Sequence, residues 1–340
     1  MSNEDFTSLL RRVAAGETLD TEQSARAFGL IMSGEVSETR IASLVTAMAV
    51  RKPTIDEIVG AVRAMRGAMK SIEANPYAID LCGTGGDGVG TVNISTACAF
   101  VVAACGVPVA KHGNRNMSSR SGTADCLEAL GVTIELSPNG ASRCLREAGL
   151  CFLFAQAYHP AMKYAAPVRK ELGFRTIFNL IGPLSNPARV RRQLVGVYDR
   201  EWTEPLAEVL GRLGADRAWV VHGDGLDEIA ISGPTRVAML MDGKVTVREI
   251  GPEDAGLSWS PLSALAGGSA DENAAALRRL LDGETGAYRD IVMINSAAAL
   301  IVGGKVSDLK EGAALAAAAI DQGQAKAKLD QLIAVSKAAA

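Results

Sequence analysis

Five of the eight residues from 83 to 90 are glycine, and this cluster lies between two apolar runs. The run before it, residues 78–82, has the length of a strand, and the run after it, residues 97–105, suits a buried helix. Polar side chains crowd the predicted helix start: Asn93, Ser95 and Thr96. Glycine lets the backbone approach a ligand closely, and the free N–H groups of a helix start favour anions. Such a turn can also be only a tight connection, but the crowded polar residues favour an anion-binding site.

Composition excludes several classes of protein. The 340 residues are 48% hydrophobic and 21% charged, enough for a sizeable core in one large or two unequal domains. A net charge of −3 and a pI near 5.8 argue against general binding to nucleic acid or membranes. The sequence shows no signal-peptide pattern, no apolar run long enough to span a bilayer and no C-x-x-C pair among its six cysteines. We therefore expect a cytoplasmic protein without a zinc site.

The first 72 residues show only helical periodicity. Asp20 or Thr21 is suited to begin a helix that ends near residue 33, and Thr54 with Glu57 forms a capping box for another. Between them, apolar residues recur at the spacing of one buried helix face: Ile41, Leu44, Val45 and Met48. Because no cluster of chemically active side chains occurs there, we expect residues 1–72 to form a helical domain that acts as a scaffold or oligomer surface.

Strand and helix patterns alternate over residues 73–340. This pattern predicts an α/β domain with a mostly parallel central sheet flanked by helices, and ligands then bind at the carboxyl ends of the strands. Residues 132–136 are predicted as one of these strands, and residues 229–247 as antiparallel strands. A basic helical stretch at about 160–188 interrupts the alternation, and we expect its helices to join the N-terminal domain and close a cleft over the sheet.

The glycine cluster matches a dinucleotide-binding fingerprint only in part. Residues 83–88 have the G-x-G-x-x-G spacing, but that fingerprint expects an acidic residue about 20 positions later, for a ribose hydroxyl. Here the second predicted strand ends in Lys111 instead, and no Gly-Lys-Ser or Gly-Lys-Thr sequence completes an ATP-type P-loop. A cationic strand end favours a ligand that carries several phosphates and is held by two loops.

The second of these loops begins at Lys111 and leads into a helix. It supplies cations and hydroxyl groups: Lys111, Arg115, Arg120, Ser118, Ser119 and Thr123. An exposed polar loop with ordinary helix caps would have a similar composition. Two such loops after successive strands nevertheless favour phosphate binding.

Two carboxylates, Asp227 and Glu228, follow a further predicted strand at residues 217–221. Neighbouring carboxylates in a loop are most often only solvated. Beside two phosphate loops, however, they suit Mg²⁺, which prefers oxygen ligands and is often shared with substrate phosphates. Ser95, at the start of the first helix of the sheet domain, is positioned to add a hydroxyl ligand.

Taken together, the motifs closely resemble those of the anthranilate phosphoribosyltransferase family, which has the nucleoside phosphorylase-like phosphoribosyltransferase fold. The likeness covers nearly the whole chain, and the set is highly specific although each motif is weak by itself. The matching segments are 83–88 (GTGGDG), 93–96 (NIST), 111–115 (KHGNR) with Ser118 and Ser119, 159–162 (HPAM), 175–184 (RTIFNLIGPL) and 224–228 (DGLDE).

The resemblance implies that a phosphoribosyl group passes from phosphoribosyl pyrophosphate (PRPP) to the amine of anthranilate in tryptophan biosynthesis, with release of pyrophosphate. It also implies that one set of residues contacts PRPP: Gly83, Gly86, Asp87, Thr91, Asn93, Ile94, Ser95, Thr96, Lys111, His112, Gly113, Asn114, Arg115, Asn116, Met117, Ser118, Ser119 and Thr123. By the same analogy, two Mg²⁺ ions per active site bind to Ser95, Asp227 and Glu228.

The acceptor half of the site also follows from the resemblance. Gly83, Asn114 and Arg169 are expected to hold anthranilate, with Arg169 facing its carboxylate. A planar guanidinium matches a carboxylate through two parallel hydrogen bonds, which makes this role physically reasonable. The expected entry channel is lined by His112, His159, Tyr164 and Gly182. The sequence departs from the usual pattern at Thr123, at Asn116-Met117 and at residues 156–158, which bears on the shape of the channel and not on the reaction.

Two alternatives remain open from the sequence. A pyrimidine-nucleoside phosphorylase of the same fold would use phosphate and a nucleoside, but Asp227 and Glu228 with the long Lys111 loop fit pyrophosphate chemistry better. A non-enzymatic, nucleic-acid-binding relative of the fold would need a basic surface, which a pI near 5.8 does not favour. The resemblance further suggests a homodimer that forms through the N-terminal helices.

Overall fold

A computed structural model of the chain describes residues 3–86, 88–115 and 121–340. The N-terminal part contains four helices: α1 (Asn3–Ala14), α2 (Thr21–Met32), α3 (Glu38–Arg51) and α4 (Ile55–Ala68). The predicted capping residues begin two of them, since Asp20 accepts a hydrogen bond from the Gln23 N–H at 2.8 Å and Thr54 accepts one from the Glu57 N–H at 3.3 Å. The helical signals in the first 72 residues therefore placed α2, α3 and α4, whereas α1 was not predicted individually.

A seven-stranded sheet forms the centre of the rest of the chain. Its strands are β1 (Ile79–Gly83), β2 (Val109–Gly113), β3 (Leu150–Phe154), β4 (Arg192–Gly196), β5 (Arg217–Gly223), β6 (Thr235–Met241) and β7 (Lys244–Ile250). They lie in the order β3-β2-β1-β4-β5-β6-β7. The first five are parallel, and β6 and β7 are antiparallel additions at one edge. The prediction of a mostly parallel sheet is confirmed.

Helices cover both faces of this sheet. They are α5 (Ile94–Ala104), α6 (Thr123–Ala129), α7 (Pro138–Ala148), α8 (Ala155–Tyr158), α9 (Ala166–Leu172), α10 (Ile177–Ile181), α11 (Thr203–Arg212), α12 (Ala270–Leu281), α13 (Ala287–Gly303), α14 (Leu309–Asp321) and α15 (Gln324–Ala338). Short 3₁₀ helices occupy Pro160–Tyr164, Arg200–Trp202, Pro252–Ala255 and Leu262–Leu265. No helix in the described part of the chain is long and apolar enough to cross a lipid bilayer.

One predicted strand was wrong. Residues 132–136 form no strand, although Val132, Ile134 and Leu136 are all buried. The backbone of this segment has other partners: the Thr133 N–H donates to the Ser336 hydroxyl at 3.1 Å, and the Val132 N–H donates to the Leu127 carbonyl at 3.0 Å. Alternating burial here comes from packing one side of an extended segment against the core, which gives the same sequence period as a strand.

Two hydrophobic clusters fill the molecule. The first lies on the face of the sheet covered by α5 and α13, both of which are almost wholly buried. The second joins the N-terminal helices to the inserted helices α9 and α10, and continues through α11 to the other face of β4 and β5. The inserted segment therefore packs with the N-terminal helices on the sheet, beside the carboxyl ends of its strands.

The order of the strands determines where a crevice opens. The chain proceeds from β1 to β2 and β3 on one side, then returns to β4 on the opposite side of β1. In an open parallel sheet, the connections diverge at such a switch point and leave a crevice beyond the strand ends. The glycine cluster follows β1 directly, so it lies at this crevice.

Candidate active site

The four strands around the crevice, β1, β2, β4 and β5, all end in glycine. Two of these glycines allow a close approach by the segment that carries the predicted metal ligands. A Cβ on Gly83 would meet the Asp227 carboxylate, and a Cβ on Gly196 would overlap the Asp227 backbone carbonyl. Glycine at these strand ends therefore lets Asp227 lie directly over the switch point between β1 and β4.

A hydrogen bond joins the glycine cluster to this carboxylate. The Gly85 N–H donates to Asp227 Oδ2 at 2.7 Å. Gly85 and Gly86 have φ values of +67° and +75°, which other residues rarely adopt, so the turn depends on glycine. The glycine cluster and the segment that carries Asp227 and Glu228 therefore lie together, as the predicted site requires.

Glu228 and Ser95 lie on the same side of the crevice. Glu228 is half-buried. The pKa of the Cys98 thiol in α5 is raised mainly by the burial of that thiol and secondly by the negative charge of Glu228. The Ser95 hydroxyl, in the first turn of α5, accepts a hydrogen bond from Lys111 Nζ at 3.1 Å. Both predicted ligands are therefore near the start of α5, beside the glycine cluster.

Lys111 lies beneath this site and not on its surface. Its side chain is only 2% exposed, and Nζ also donates to the Leu81 carbonyl at 2.5 Å. Burial raises the pKa of the neighbouring Asp80, and the charge of Lys111 partly opposes that shift. The ammonium group therefore fixes Ser95 and places a positive charge below the crevice.

The oxygen donors suit a hard divalent cation. Ser95, Asp227 and Glu228 provide a hydroxyl and two carboxylates, the ligand types that Mg²⁺ takes when substrate phosphates and water complete its shell. Among residues 3–86, 88–115 and 121–340, no group of three or more His, Cys, Asp or Glu side chains is arranged to hold a metal. The protein alone therefore offers a partial oxygen site, which fits a cation shared with a phosphorylated ligand.

The end of the glycine cluster is held by residues that the sequence did not indicate. Thr91 forms an antiparallel bridge with Ala266, and the Val92 N–H donates to the Leu265 carbonyl at 3.0 Å. Asn93 Oδ1 accepts a hydrogen bond from Asn273 Nδ2 at 2.9 Å. These contacts fix the approach of the chain to α5 from the C-terminal part of the sequence.

Two predicted PRPP residues at the helix start face the core. Ile94 is 2% exposed and Thr96 is 1% exposed. Their side chains anchor the first turn of α5, so any contact they make with an anion must come from their backbone N–H groups.

The second predicted phosphate loop is described only in part. Six predicted residues of the two loops lie outside the described chain: Asp87, Asn116, Met117, Ser118, Ser119 and Arg120. Gly113 ends β2, and Asn114 Oδ1 accepts hydrogen bonds from the Arg115 N–H at 2.8 Å and from Gln156 Nε2 at 3.4 Å. Because its oxygen has these donors, the amide nitrogen of Asn114 is, among the described residues, the part of this side chain that can still donate to a ligand.

Arg115 and Thr123 brace the two ends of this loop. Arg115 pairs with Asp125 at 3.0 Å and with Glu128 at 2.8 Å, and its guanidinium lies 5.5 Å from the Phe154 ring centroid. Thr123 begins α6, and its hydroxyl lies 3.4 Å from the Thr96 hydroxyl. Arg115 is thus tied to α6, while Thr123 lies beside the start of α5.

A buried histidine pair lies next to the second loop. The Nε2 atoms of His112 and His159 are 3.2 Å apart, and both side chains are 6% exposed. Burial lowers the pKa of His112 well below its usual value and lowers the pKa of His159 to about 4. The pair is therefore neutral at pH 7, with one ring donating to the other.

Arg169, on α9, is half-buried and stands over an aromatic ring. Its guanidinium carbon lies 5.8 Å from the Phe178 ring centroid, and burial lowers its pKa. In the described part of the chain, the guanidinium has no hydrogen bond and no ion pair. A desolvated cation without a carboxylate partner is suited to an anionic ligand.

The remaining predicted channel residues lie on the helical side. Tyr164 is 36% exposed, and its ring packs so closely against Gly34, at the end of α2, that a side chain there would overlap it. Gly182 follows α10, and a Cβ there would make only ordinary contact with the Phe178 carbonyl, at 3.7 Å. Both positions flank the inserted helices.

Arg175 and Tyr198 also lie at the glycine cluster, which the sequence did not predict. Arg175 Nη2 donates to the Gly86 carbonyl, and its guanidinium carbon lies 4.1 Å from the Tyr198 ring centroid. The Tyr198 N–H donates to the Thr84 hydroxyl at 2.9 Å. Arg175 belongs to a motif of the sequence, but no spacing rule links it to a glycine 89 positions earlier.

Family models match both parts of the chain. The helical bundle domain of a glycosyl transferase family matches residues 7–69, and the a/b domain of that family matches residues 75–326. An anthranilate phosphoribosyltransferase from Rhodopseudomonas palustris (strain BisB18) is 57% identical over 99% of this chain and 99% of its own.

Solved structures agree with this match. Anthranilate phosphoribosyltransferase (TrpD) from Thermus thermophilus has a TM-score of 0.93 at 45% identity, over 97% of this chain and 99% of its own. The enzyme of that name from Saccharomyces cerevisiae, in complex with PRPP and Mg, has a TM-score of 0.90 at 26% identity, over 99% of both chains.

Proposed function

The chain belongs to the glycosyl transferase family of these matches and, within it, to the anthranilate phosphoribosyltransferases, and we propose that its active site is the crevice between β1 and β4. The enzyme transfers the phosphoribosyl group of PRPP to the amine of anthranilate and releases pyrophosphate, with N-(5-phosphoribosyl)anthranilate as product. The hydrogen bond from Gly85 to Asp227 carries the assignment of the site, because it unites the glycine cluster with the predicted metal ligands.

PRPP binds, in this proposal, with its pyrophosphate at the glycine cluster and the start of α5. The N–H groups in the first turn of α5 and the positive end of that helix favour an anion beside the glycine cluster, and the buried ammonium of Lys111 adds to that field. Lys111 acts through Ser95, to which it donates, and not by reaching the ligand over the surface.

Mg²⁺ is held, in this proposal, by Ser95, Asp227 and Glu228, with two ions per active site. When bound, the cation would neutralise charge that develops on departing pyrophosphate. The yeast relative of known structure is in complex with PRPP and Mg, which supports magnesium use by this chain as well. The Gly85–Asp227 hydrogen bond holds one carboxylate at the place where such an ion would meet the phosphates.

Anthranilate binds, in this proposal, between Asn114, Gly83 and Arg169. The guanidinium of Arg169, which has no ion pair within the described residues, takes the carboxylate of the acceptor, and the amide nitrogen of Asn114 adds a donor. His112, His159, Tyr164 and Gly182 line the entry for the acceptor. His112 and His159 present neutral rings there, so they do not attract its carboxylate as cations would.

The chain accelerates the reaction by positioning and by fixed charge. As the bond to pyrophosphate breaks, positive charge develops on the ribose and negative charge on the leaving group. The helix start and Lys111 stabilise the leaving group, while Arg169 and Asn114 hold the amine near the anomeric carbon. An aromatic amine that attacks such a centre needs no strong base, and burial raises the pKa of the Cys82 thiol well above its usual value, which favours the thiol over the nucleophilic thiolate.

The wider setting follows from the same family membership. We place the reaction in tryptophan biosynthesis, in the cytoplasm, and the chain in a homodimer formed through its N-terminal helices. The six cysteines are all free thiols in the structure, which suits a reducing compartment. Family membership supports the phosphoribosyltransferase and neither the pyrimidine-nucleoside phosphorylase nor the nucleic-acid-binding relative.

The decisive test is the loss of anthranilate fluorescence on incubation with PRPP and Mg²⁺. Asp227→Asn combined with Glu228→Gln should lower kcat/KM by about a hundredfold to a thousandfold, because both metal-binding charges are lost while the shape is kept. Asn at 227 can still accept from Gly85, so the thermal unfolding midpoint should change little.

Asp224→Asn provides the matched control, since Asp224 is an exposed carboxylate of the same loop with φ +48°, which Asn tolerates. It should retain activity. Near-normal turnover by the double variant would refute the metal assignment, and no anthranilate consumption by the unmodified chain would refute the proposed function.

A further inference from the structure

Arg175 lies between α9 and α10, in the segment that the sheet domain lends to the helical part of the molecule. Its side chain is exposed, yet its guanidinium is held on two sides. The carbon of the guanidinium lies 4.1 Å from the Tyr198 ring centroid, close enough for a cation–π contact, and Nη2 donates to the Gly86 carbonyl. This is a direct contact between the inserted segment and the glycine cluster.

Gly86 belongs to the most adaptable part of the crevice. With φ +67° at Gly85 and +75° at Gly86, the turn has little conformational preference of its own, because glycine occupies many backbone conformations at similar free energy. Two contacts select one of them: Asp227 accepts from the Gly85 N–H, and Arg175 donates to the Gly86 carbonyl. Loss of either contact leaves the turn to sample other backbone conformations.

Arg169 lies earlier in the same segment. Only six positions separate it from Arg175, and α9 ends between them, followed by Gly173 with a φ of +64°. The Phe178 ring beneath Arg169 belongs to α10, the helix that follows Arg175. An anion bound to Arg169 would therefore fix α9 against α10, and Arg175 lies in the connection between these two helices.

Tyr198, on which the guanidinium of Arg175 stacks, is attached to the sheet. It lies two residues after the end of β4, and its N–H donates to the Thr84 hydroxyl, while the Thr84 N–H donates to the Gly196 carbonyl, both at 2.9 Å. The ring is thus anchored to the sheet at the switch point. Arg175 stacks on this anchored ring and reaches the glycine turn from there.

We propose that Arg175 is a positioning residue that couples the two substrate sites: it transmits the arrangement of the anthranilate-binding helices to the PRPP-binding glycine turn through Gly86 and Tyr198. This rests on the proposed function of the crevice. Occupation of the acceptor site favours the position of Arg175 that holds Gly86, so each substrate strengthens the binding of the other. By linkage, the factor is the same in both directions.

The coupling factor between the two substrates is the ratio of the PRPP dissociation constant to the PRPP KM. It is obtained from initial rates measured over a full matrix of PRPP and anthranilate concentrations. The unmodified enzyme should give a factor above 1, and Arg175→Ala should bring it close to 1. The same variant should raise the KM for PRPP by about tenfold, the effect of one charge-assisted hydrogen bond, with kcat changed by less than about threefold.

Conservative variants separate positioning from a merely structural role. Arg175→Lys keeps a donor without the planar stack and should restore part of the coupling. Tyr198→Phe keeps the ring and should behave as the unmodified enzyme, whereas Tyr198→Ala should resemble Arg175→Ala. Lys170→Ala removes an exposed cation of α9 and should leave both KM values and the coupling factor unchanged.

Two results would overturn the proposal. One is an Arg175→Ala enzyme with an unaltered coupling factor; the other is a loss of kcat with no change in the KM for PRPP. If the unmodified chain shows no turnover, the proposed function fails instead. Calorimetric titration of PRPP and Mg²⁺ with and without anthranilate then measures the coupling directly, since no reaction disturbs the equilibrium.

Discussion

The proposed role of Arg169 depends on the surroundings of a single charge. Arg169 is half-buried, its pKa is lowered by burial, and its guanidinium lies over the Phe178 ring without a hydrogen bond or ion pair within the described residues. Arg115 has the opposite arrangement, because Asp125 and Glu128 neutralise it. Both arginines look alike in the sequence, and only the positions of their neighbours separate the proposed ligand-binding cation, Arg169, from the structural one, Arg115.

Arg169→Ala should therefore weaken acceptor binding selectively. We expect the KM for anthranilate to rise about tenfold to a hundredfold, the range of a charge-assisted hydrogen-bonded pair, with a much smaller change for PRPP. Because a desolvated charge without a partner is removed, the thermal unfolding midpoint should not fall. Steady-state kinetics and calorimetry measure the two effects, and equal increases in both KM values would remove Arg169 from the acceptor site.

The histidine pair should make the protein sensitive to acid. The pKa of His159 in the folded protein is about 4, below its ordinary value of 6.5, so the unfolded chain binds more protons in this range. The contribution of His159 to stability is complete above pH 6.5 and is lost as the pH falls towards 4, by roughly 3 kcal/mol at pH 4.

Calorimetric unfolding midpoints of the unmodified protein and of His159→Gln, measured between pH 7 and pH 4.5, test this. The difference between the two midpoints should shrink or reverse as the pH falls. His222→Gln serves as control, because His222 lies outside the pair and contacts the Val197 carbonyl. A constant difference across the pH range would contradict a neutral buried pair.

At the scale of whole elements, the ends of the strands and not their interiors shape the proposed site. The apolar strand interiors were readily predicted, but the terminal glycines of β4 and β5 gave no functional signal in the sequence. In the structure, a Cβ on Gly223 would meet the Glu228 carbonyl, as one on Gly196 would meet that of Asp227. These glycines allow the loop after β5 to fold back across the sheet edge.

Gly196→Ala should displace Asp227 without removing any functional group. The methyl group would overlap the Asp227 backbone carbonyl, so the carboxylate must move away from Gly85. We expect a weaker apparent affinity for Mg²⁺ in the fluorescence assay and at least a roughly tenfold loss of kcat/KM, at a preserved far-ultraviolet circular dichroism spectrum.

Gly67→Ala is the matched control for this substitution. Gly67 lies within α4, where a Cβ would meet no atom within 4 Å, so the change should be neutral or slightly stabilising. Normal Mg²⁺ dependence in Gly196→Ala would show that the close approach does not position the metal ligands.

Residues 132–136 illustrate the limit of pattern analysis for elements. Their alternation of apolar and polar residues predicted a strand, yet no backbone ladder forms there. Periodicity reports which side of a segment is buried, and it does not report what supplies the hydrogen bonds. The ladder of a strand requires a partner at the correct distance, which is a property of the tertiary structure.

At the scale of the whole molecule, the proposed dimer can be tested directly by measuring the mass in solution. Val50, on α3, is 83% exposed, which is unusual for a large apolar side chain in a helix of the N-terminal domain. We expect the 35.4 kDa chain to elute in gel filtration at about twice its mass.

Val50→Glu should shift the elution towards the mass of one chain, because a charge cannot be buried without a partner. Met241→Glu, at the turn between β6 and β7 where Met241 is 41% exposed, should leave the elution unchanged. A single-chain mass for the unmodified protein at micromolar concentration would contradict the dimer.

The sequence by itself determined the fold class and the family, because helix periodicity, capping boxes, buried strands and the set of motifs are all local properties of the chain. It also indicated Asp227, Glu228, Ser95 and Lys111 as members of one site. Only the tertiary structure decided where the side chains lie: Lys111 is buried behind Ser95, and Arg175 reaches Gly86 from another part of the chain. The reason is physical, since burial, charge pairing and close approach depend on distances between segments far apart in the sequence, and no local pattern records those distances.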